Sequence, residues 1–252
     1  MGDTIWSPTY TDKGDPEDPD DDQKVQTHGG VIPDNVTFDE DGNLILIVNG
    51  DWYQGDKQGH LGYGDKSLVS GGQRTGAVIT STRTYGPGSF EVVLKLPAFN
   101  GICSSIWLFN NFKNPLGGDN WNYEIDIEIH GSTTRNANNM LTAMCTSWIT
   151  EKKSTSNSKN VGYNLADGQF HTYRIDWHTG ADPYVEYYID GVLVCTQRQS
   201  VCGTIPTNEM YFNIGCWFPN GWCGEPDFET DCMVVKSFSY TPFTGETADK
   251  TN

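Results

Sequence analysis

The sequence contains no apolar run long enough to cross a membrane, and no stretch repeats its apolar residues with helical periodicity. Neither a membrane-spanning helix nor a helical bundle is therefore expected. Basic residues are scarce, with 16 Lys and Arg against 33 Asp and Glu, so the net charge is −17. Because nucleic acids and anionic membrane surfaces attract basic proteins, we expect neither as a partner.

Cys-x-x-Cys pairs are also absent, so a structural zinc site of the zinc-finger type is not expected. The seven cysteines are an odd number, which leaves at least one thiol unpaired in a monomer. Two pairs stand seven residues apart across turn-like sequence and could form disulfides: Cys195 with Cys202, and Cys216 with Cys223. Cys103 and Cys145 lie in strand-like runs and are predicted to be buried thiols.

The N-terminal region has an unusual composition. Met1-Gly2-Asp3 lacks the basic start and apolar stretch of a secretory signal peptide. Residues 12–22 hold seven acids and one Lys, and calcium binding by this run is the weaker interpretation. We expect residues 1–30 to be an irregular acidic segment, residues 31–245 to form one domain and residues 246–252 to be a tail.

Glycine and aromatic residues are abundant, with 28 Gly, 12 Tyr and 8 Trp. Short alternating runs separated by turn residues predict strands. They cover residues 36–48 (with a hairpin turn), 77–82, 89–96, 102–110, 123–130, 140–148, 171–177, 185–189, 192–196, 209–216 and 233–240. Such a series is typical of an all-β antiparallel sandwich or jelly roll. The long Gly- and Asp-rich loop at residues 49–74 is expected to shape a binding site.

Residues 124–128 read Glu-Ile-Asp-Ile-Glu. Side chains alternate between the two faces of a strand, so Glu124, Asp126 and Glu128 should share one face while isoleucines line the core. Three acids on one face repel each other and gain nothing structurally. Crowding raises carboxyl pKa values, and a protonated acid beside an ionised carboxylate is what glycoside hydrolysis needs. A solvated strand face or a cation site is the alternative.

Aromatic residues beside the acids favour the hydrolytic interpretation. Trp121 and Tyr123 precede the triplet, and a sugar offers hydroxyls to acids and apolar C–H faces to rings. Tyr123 could equally point to the opposite face of the strand. Trp177 alternates with Ile175 and is predicted to be core, and His171 is predicted to be a hydrogen-bonded core residue rather than a catalytic one.

Four segments in this order resemble glycoside hydrolase family 16: residues 84–92, 124–128, 170–177 and 188–191. The resemblance runs from about residue 36 to residue 243. It implies a β-jelly-roll sandwich with a concave cleft and retaining hydrolysis of internal β-linkages in a polysaccharide. It also implies that Glu124 is the nucleophile, that Glu128 is the acid/base, and that Asp126 hydrogen-bonds the nucleophile.

The resemblance further places sugar-stacking aromatic residues at Trp107, Trp217 and Trp222, for each of which core packing is the alternative. The regular Glu-x-Asp-x-Glu spacing is similar to that of lichenases and plant xyloglucan-active enzymes rather than to the bulged form of many laminarinases. Lichenases usually carry Trp where this chain has Asn122. Many family members bind a structural calcium through an Asp in the last strand, where this chain has Lys236, so a structural calcium is doubtful and no organic cofactor is implied.

The resulting expectation is a monomeric, secreted or cell-surface endo-β-glycanase whose signal peptide is absent from the sequence given. Its substrate is expected to be a β-1,3- or mixed-linkage β-1,3-1,4-glucan. A β-galactan, a mucin-type glycan or xyloglucan is the alternative substrate, cleaved by a hydrolase or a transglycosylase. A non-catalytic carbohydrate-binding jelly roll is the alternative of another class.

Overall fold

A computed structural model describes residues 6–7, 31–56, 74–115, 117–131, 140–219 and 223–250. The acidic run at residues 12–22 lies outside this part of the chain. Within it, the strands are β1 (Trp6–Ser7), β2 (Val36–Phe38), β3 (Leu44–Asn49), β4 (Ala77–Tyr85), β5 (Gly88–Lys95), β6 (Cys103–Phe112), β7 (Trp121–His130), β8 (Thr142–Thr150), β9 (Lys153–Asn160), β10 (His171–His178), β11 (Tyr184–Ile189), β12 (Val192–Arg198), β13 (Met210–Trp217) and β14 (Thr230–Pro242). A 3-10 turn at Pro33–Asn35 and the short helix α1 at Gln199–Cys202 complete the described elements.

The strands form two seven-stranded sheets whose neighbouring strands are antiparallel. One sheet has the order β1-β4-β13-β6-β7-β8-β9, and the other has the order β12-β11-β10-β5-β14-β3-β2. Strands that are neighbours in a sheet are often far apart in sequence, as β13 is from both β4 and β6. The expected all-β sandwich of the jelly-roll type is confirmed, and each predicted strand overlaps an observed one.

The core lies between the two sheets and is built from alternate residues of their strands. Strand β5 shows the pattern clearly, because every second residue from Gly88 onward is buried. Trp177 is fully buried, and its indole N–H donates to the Pro206 carbonyl at 2.9 Å, which confirms it as a core residue. A buried Trp needs such an acceptor because its N–H would otherwise have no hydrogen-bond partner.

His171 is also part of the scaffold, as predicted. The ring is 8% exposed, and its two nitrogens lie 2.7 Å from Asp190 and 3.1 Å from Asp167. Two carboxylate partners hold the ring at the start of β10, well outside the acidic triplet on β7. Asn35, the residue before β2, is likewise structural, because its buried amide donates to Thr75 at 2.9 Å.

The cysteines are all thiols, and their neighbours differ from the pairs expected at seven-residue spacing. The Cys145 thiol on β8 contacts Cys195 on β12, and the Cys103 thiol on β6 contacts Cys223. Spacing along the chain was misleading because each contact joins strands or loops that only the sandwich brings together. Cys103 and Cys145 are buried, as predicted.

Described residues on both sides of residues 31–245 contact the sandwich. Strand β1 lies in the segment predicted to be irregular, and it pairs with Ser81 and Thr80 of β4. In the predicted tail, Glu246 accepts hydrogen bonds from His178 and Thr179, and Asp249 forms a bridge with Asn208. No helix in the described part of the chain is long and apolar enough to span a bilayer.

Candidate active site

The acidic triplet lies on β7, between β6 and β8 in the sheet order. The alternating Ile125, Ile127 and Ile129 are at most 2% exposed and face the core. Because the register from Glu124 to Glu128 is uninterrupted against both β6 and β8, the three acids stay on the opposite face of the sheet. The regular spacing seen in the sequence therefore corresponds to a regular strand here, without a bulge between the acids.

The three carboxylates open into one pocket. Its lining consists of Val31, Val78, Ser105, Trp107, Glu124, Asp126, Glu128 and Trp217. These residues come from β4, β6, β7, β13 and the segment before β2. The combination of a carboxylate row with two indole rings offers a sugar both polar and apolar contacts.

Cross-strand pairing sets the floor of the pocket. Trp107 lies opposite Asp126, and Ser105 lies opposite Glu128. On the far side of β6, Ser105 pairs with Gly215 of β13, which in turn pairs with Val78. A side chain at position 215 would collide with Val78, so this part of the pocket floor requires glycine.

Glu124 is held by two polar neighbours. The Asn122 amide donates to its carboxylate at 2.7 Å, and Asp126 also hydrogen-bonds it. Burial raises the pKa of Glu124 to about 7, the Asn122 bond opposes that rise, and the negative charge of Glu128 adds to it. Asn122 therefore favours the ionised form of Glu124, since a hydrogen bond to a charged form stabilises that form.

Asp126 has the opposite preference. Burial raises the pKa of Asp126 well above its usual value, and the charges of Glu124 and Glu128 raise it further. This environment favours the protonated form of Asp126, which can donate a hydrogen bond to Glu124, while the Trp148 indole donates to Asp126. One proton placed on the middle acid allows Glu124 to remain a carboxylate among its acidic neighbours.

Glu128 lies beside a thiol and an imidazole. Its Oε1 is 3.6 Å from the Cys103 sulfur, and its Oε2 is 3.7 Å from Nε2 of His130. The Glu128 side chain is 20% exposed, so a substrate in the pocket can reach it. This partly open position suits a group that exchanges a proton with substrate and water.

The aromatic residues predicted to contact substrate lie in different places. Trp107 and Trp217 line the pocket. Trp121 stacks on Tyr123 with ring centroids 5.9 Å apart, and Tyr123 packs against Phe112 and the core. Of these two rings, neither lines the pocket in the described structure. Their substrate-binding roles stay predictions, and Trp222 lies outside the described residues.

Arg74 connects two loops through its ion pairs. It is 8% exposed, forms a bidentate ion pair with Asp51 and donates a 2.7 Å hydrogen bond to Glu225. Backbone bonds run alongside, from Asp51 N to the Pro226 carbonyl and from Trp52 N to the Phe228 carbonyl. The described start of the 49–74 loop is thereby fastened to the segment that follows Trp217.

Several site residues were missed in the sequence. Asn122 precedes Glu124 by two positions, so strand alternation could have placed it on the same face. Trp148, Val31 and Val78 carry no such signal, because pairing of β7 with β8 places Trp148 opposite Glu124 and the fold brings Val31 and Val78 into the pocket. At the position considered for calcium, the Lys236 ammonium lies 5.5 Å from the centre of the Phe170 ring.

Comparison with known proteins identifies the family of the chain. The sequence profile of the family described as Glycosyl hydrolases family 16 matches residues 33–233. A beta-glucanase of Fibrobacter succinogenes is 29% identical over 184 residues, which is 71% of this chain and 50% of the relative. The chain thus matches about half the length of this curated relative.

Solved structures share the fold. The beta-glucanase of Bacillus licheniformis superposes with a TM-score of 0.62 at 22% identity, over 84% of this chain and 85% of the other. The catalytic domain of an endo-1,3-beta-glucanase (laminarinase) from Thermotoga petrophila gives a TM-score of 0.59 at 19% identity, over 82% and 79%. These likenesses support the same two-sheet architecture.

Proposed function

The chain belongs to the glycosyl hydrolases family 16, and from that premise we propose that it is an endo-acting retaining β-glucanase. The observation that carries the proposal is the row Glu124, Asp126 and Glu128, which opens into one pocket beside Trp107 and Trp217. Two carboxyl groups flanking a sugar are the minimum machinery of glycoside hydrolysis. A carbohydrate-binding protein would have no use for three crowded acids that repel each other.

In the proposed reaction, ionised Glu124 attacks the anomeric carbon while Glu128 gives a proton to the departing oxygen. A covalent glycosyl-enzyme forms, and Glu128 then takes a proton from the water that releases it. Protonated Asp126 donates a hydrogen bond to Glu124 throughout and keeps the carboxylate oriented. No organic cofactor takes part, and the polysaccharide is the only partner that the site requires.

We propose a β-1,3- or mixed-linkage β-1,3-1,4-glucan as substrate. The curated relative from Fibrobacter succinogenes is a beta-glucanase, and the regular Glu-x-Asp-x-Glu strand resembles that of lichenases. Asn122, in place of their usual Trp, changes the wall of the cleft beside the nucleophile. Secretion follows from the proposal, because a polysaccharide too large to enter a cell must be met outside it.

The test is reducing-sugar release from lichenan, barley β-glucan, laminarin, xyloglucan and a β-galactan. We expect cleavage of at least one of the first three, with mixed-length oligosaccharides as early products because the enzyme acts inside the chain. Adding an acceptor oligosaccharide tests for transfer, which would make the protein a transglycosylase. Binding to a glucan without any new reducing ends would instead support the non-catalytic alternative.

A pH profile tests the electrostatics of the site. Because burial raises the pKa of Glu124 to about 7, protonation should inactivate the nucleophile as the pH falls below neutrality. We expect kcat/KM to decline on the acid side with a midpoint near that value. In Asn122→Ala the carboxylate loses the 2.7 Å bond that favours ionisation, so this acid limb should move to higher pH.

The matched control for this profile is Asn120→Ala, which removes an exposed amide two positions earlier and should leave the acid limb in place. If Asn122→Ala lowers kcat/KM equally at every pH, Asn122 serves only to position Glu124, and the electrostatic account of Glu124 is wrong.

A further inference from the structure

Three different ligand-type side chains meet at one end of the pocket. Cys103 is the first residue of β6 and lies opposite His130, the last residue of β7. Glu128 is two positions before His130 and therefore on the same face of the strand. A sulfur, an oxygen and a nitrogen, one from each residue, all lie within 4.8 Å of one another.

Two of the separations are close to those of a tetrahedral zinc site. Zinc binds sulfur at about 2.3 Å and nitrogen or oxygen at about 2.0–2.2 Å, so tetrahedral ligands lie about 3.4–3.6 Å from each other. The Cys103 sulfur is 3.6 Å from Oε1 of Glu128, and Nε2 of His130 is 3.7 Å from Oε2 of the same carboxylate. The Glu128 carboxylate would therefore bind the ion with both oxygens, or turn so that one oxygen meets it together with the sulfur and the nitrogen.

We propose that Cys103, Glu128 and His130 form a zinc-binding site, and that zinc bound there inhibits the enzyme. Thiolate, imidazole and carboxylate together prefer zinc to calcium or magnesium, which take oxygen ligands. The usual Cys-x-x-Cys spacing is absent because these donors come from two paired strands rather than from one loop.

Cys223 lies beside the cluster but is not one of the three ligands. Its thiol contacts that of Cys103, and its carbonyl accepts a 2.7 Å bond from Gly101 N, which holds its backbone beside the start of β6. Cys103, Glu128 and His130 would supply three ligands, and a solvent molecule would supply the fourth. This zinc is inhibitory rather than catalytic because one of its ligands is the proposed acid/base.

Inhibition follows from the role of Glu128 and therefore rests on the proposed function, whereas metal binding does not. A carboxylate bound to zinc can neither give a proton to the leaving oxygen nor take one from water. The proton of the Cys103 thiol is released to solvent when the metal binds. Free zinc would thus switch the enzyme off, and removal of zinc would restore it.

Cobalt(II) is the probe for binding, because cobalt replaces zinc in such sites and its thiolate bonds absorb light. With the reduced protein we expect one cobalt per chain and a thiolate-to-cobalt charge-transfer band that added zinc abolishes. The band should be lost in Cys103→Ser and kept in the matched control Cys202→Ser, which changes a half-buried thiol of α1. Since Cys103 is buried, thermal melts establish that its variant is folded.

His130→Gln is the second variant, because its side chain is 24% exposed and the exchange is easily accommodated. The cobalt band should persist in this variant, but binding should weaken at least about tenfold because one of the ligands is lost. For the unmodified enzyme, saturating zinc should reduce glucan hydrolysis at least tenfold, with full recovery on adding a chelator.

A cobalt band that survives Cys103→Ser but disappears in Cys195→Ser would overturn the proposal, since the metal would then sit at the Cys145–Cys195 contact. Zinc that binds at Cys103 without slowing hydrolysis would overturn the inhibitory role. If no polysaccharide is cleaved at all, the cobalt experiment still decides whether the site exists, so the two proposals fail separately.

Discussion

Replacing Glu124 by Gln is expected to abolish glucan hydrolysis, with a loss of at least about four orders of magnitude, comparable with losses after removing one member of a coupled catalytic set. The amide is the same size as the carboxylate but cannot form the covalent intermediate. Glu128→Gln should lose about 10²–10⁴-fold on a polysaccharide, which is the usual contribution of a general acid–base group. Reducing-sugar assays measure both losses.

The roles of the two acids can be distinguished with a substrate whose leaving group needs no proton, such as a dinitrophenyl oligoglucoside. Glu128→Gln should form its glycosyl-enzyme from this substrate at a near-normal rate, because the phenolate departs unaided. Added azide should then release a β-glycosyl azide from Glu128→Gln. In Glu124→Gly, azide takes the place of the missing carboxylate and should give the α-glycosyl azide.

Nuclear magnetic resonance of the azide products assigns the stereochemistry. An α-glycosyl azide from the Glu128 variant and a β-glycosyl azide from the Glu124 variant would mean that Glu124 and Glu128 have the opposite roles. The control is Glu40→Gln, an exposed residue in the turn between β2 and β3, which should hydrolyse glucan at the unaltered rate. Full activity in both pocket variants would contradict the proposed function itself.

Glu124→Gln is also expected to be more stable than the unaltered protein at neutral and higher pH. Burial raises the pKa of Glu124 from 4.5 to about 7, so the folded protein binds this proton more tightly than the unfolded chain does. Stability contributed by the group is present below its unfolded pKa and is lost as the pH rises through the folded pKa. Above neutrality the ionised, crowded carboxylate therefore destabilises the fold.

The size of this effect follows from the shift. A change of about 2.5 pKa units corresponds to roughly 3 kcal/mol, and water entering the half-open pocket makes this an upper bound. Differential scanning calorimetry should show a higher Tm for Glu124→Gln at pH 8 and little difference near pH 4. Glu40→Gln, whose carboxylate is solvated, should show no such pH-dependent gain.

Equal stability of Glu124→Gln and the unaltered protein at pH 8 would mean that solvent screens the triplet more fully than its burial indicates. A gain in stability, by contrast, would show that the fold tolerates an unfavourable group because its chemistry requires one, the usual relation between stability and activity in enzymes.

Local patterns were sufficient to predict most of the fold and the acidic triplet. Strand alternation depends only on period-two geometry, so the face shared by Glu124, Asp126 and Glu128 could be read directly. Strand β9 was missed because Lys153–Asn160 is polar along its whole length. It is an edge strand formed by hydrogen bonding to β8, and its own residues carry no apolar signal.

Period-two alternation and residue spacing are enough to establish the fold class, the buried isoleucines of β7 and the spacing of its acids. The residues that surround those acids depend instead on the tertiary fold. Val78, Trp107 and Trp217 reach one pocket because β4, β13 and β6 are neighbours in the sheet while they are distant in the chain. The meeting of Cys103 with Glu128 and His130 has the same origin, since pairing of β6 with β7 sets it and no local pattern records it.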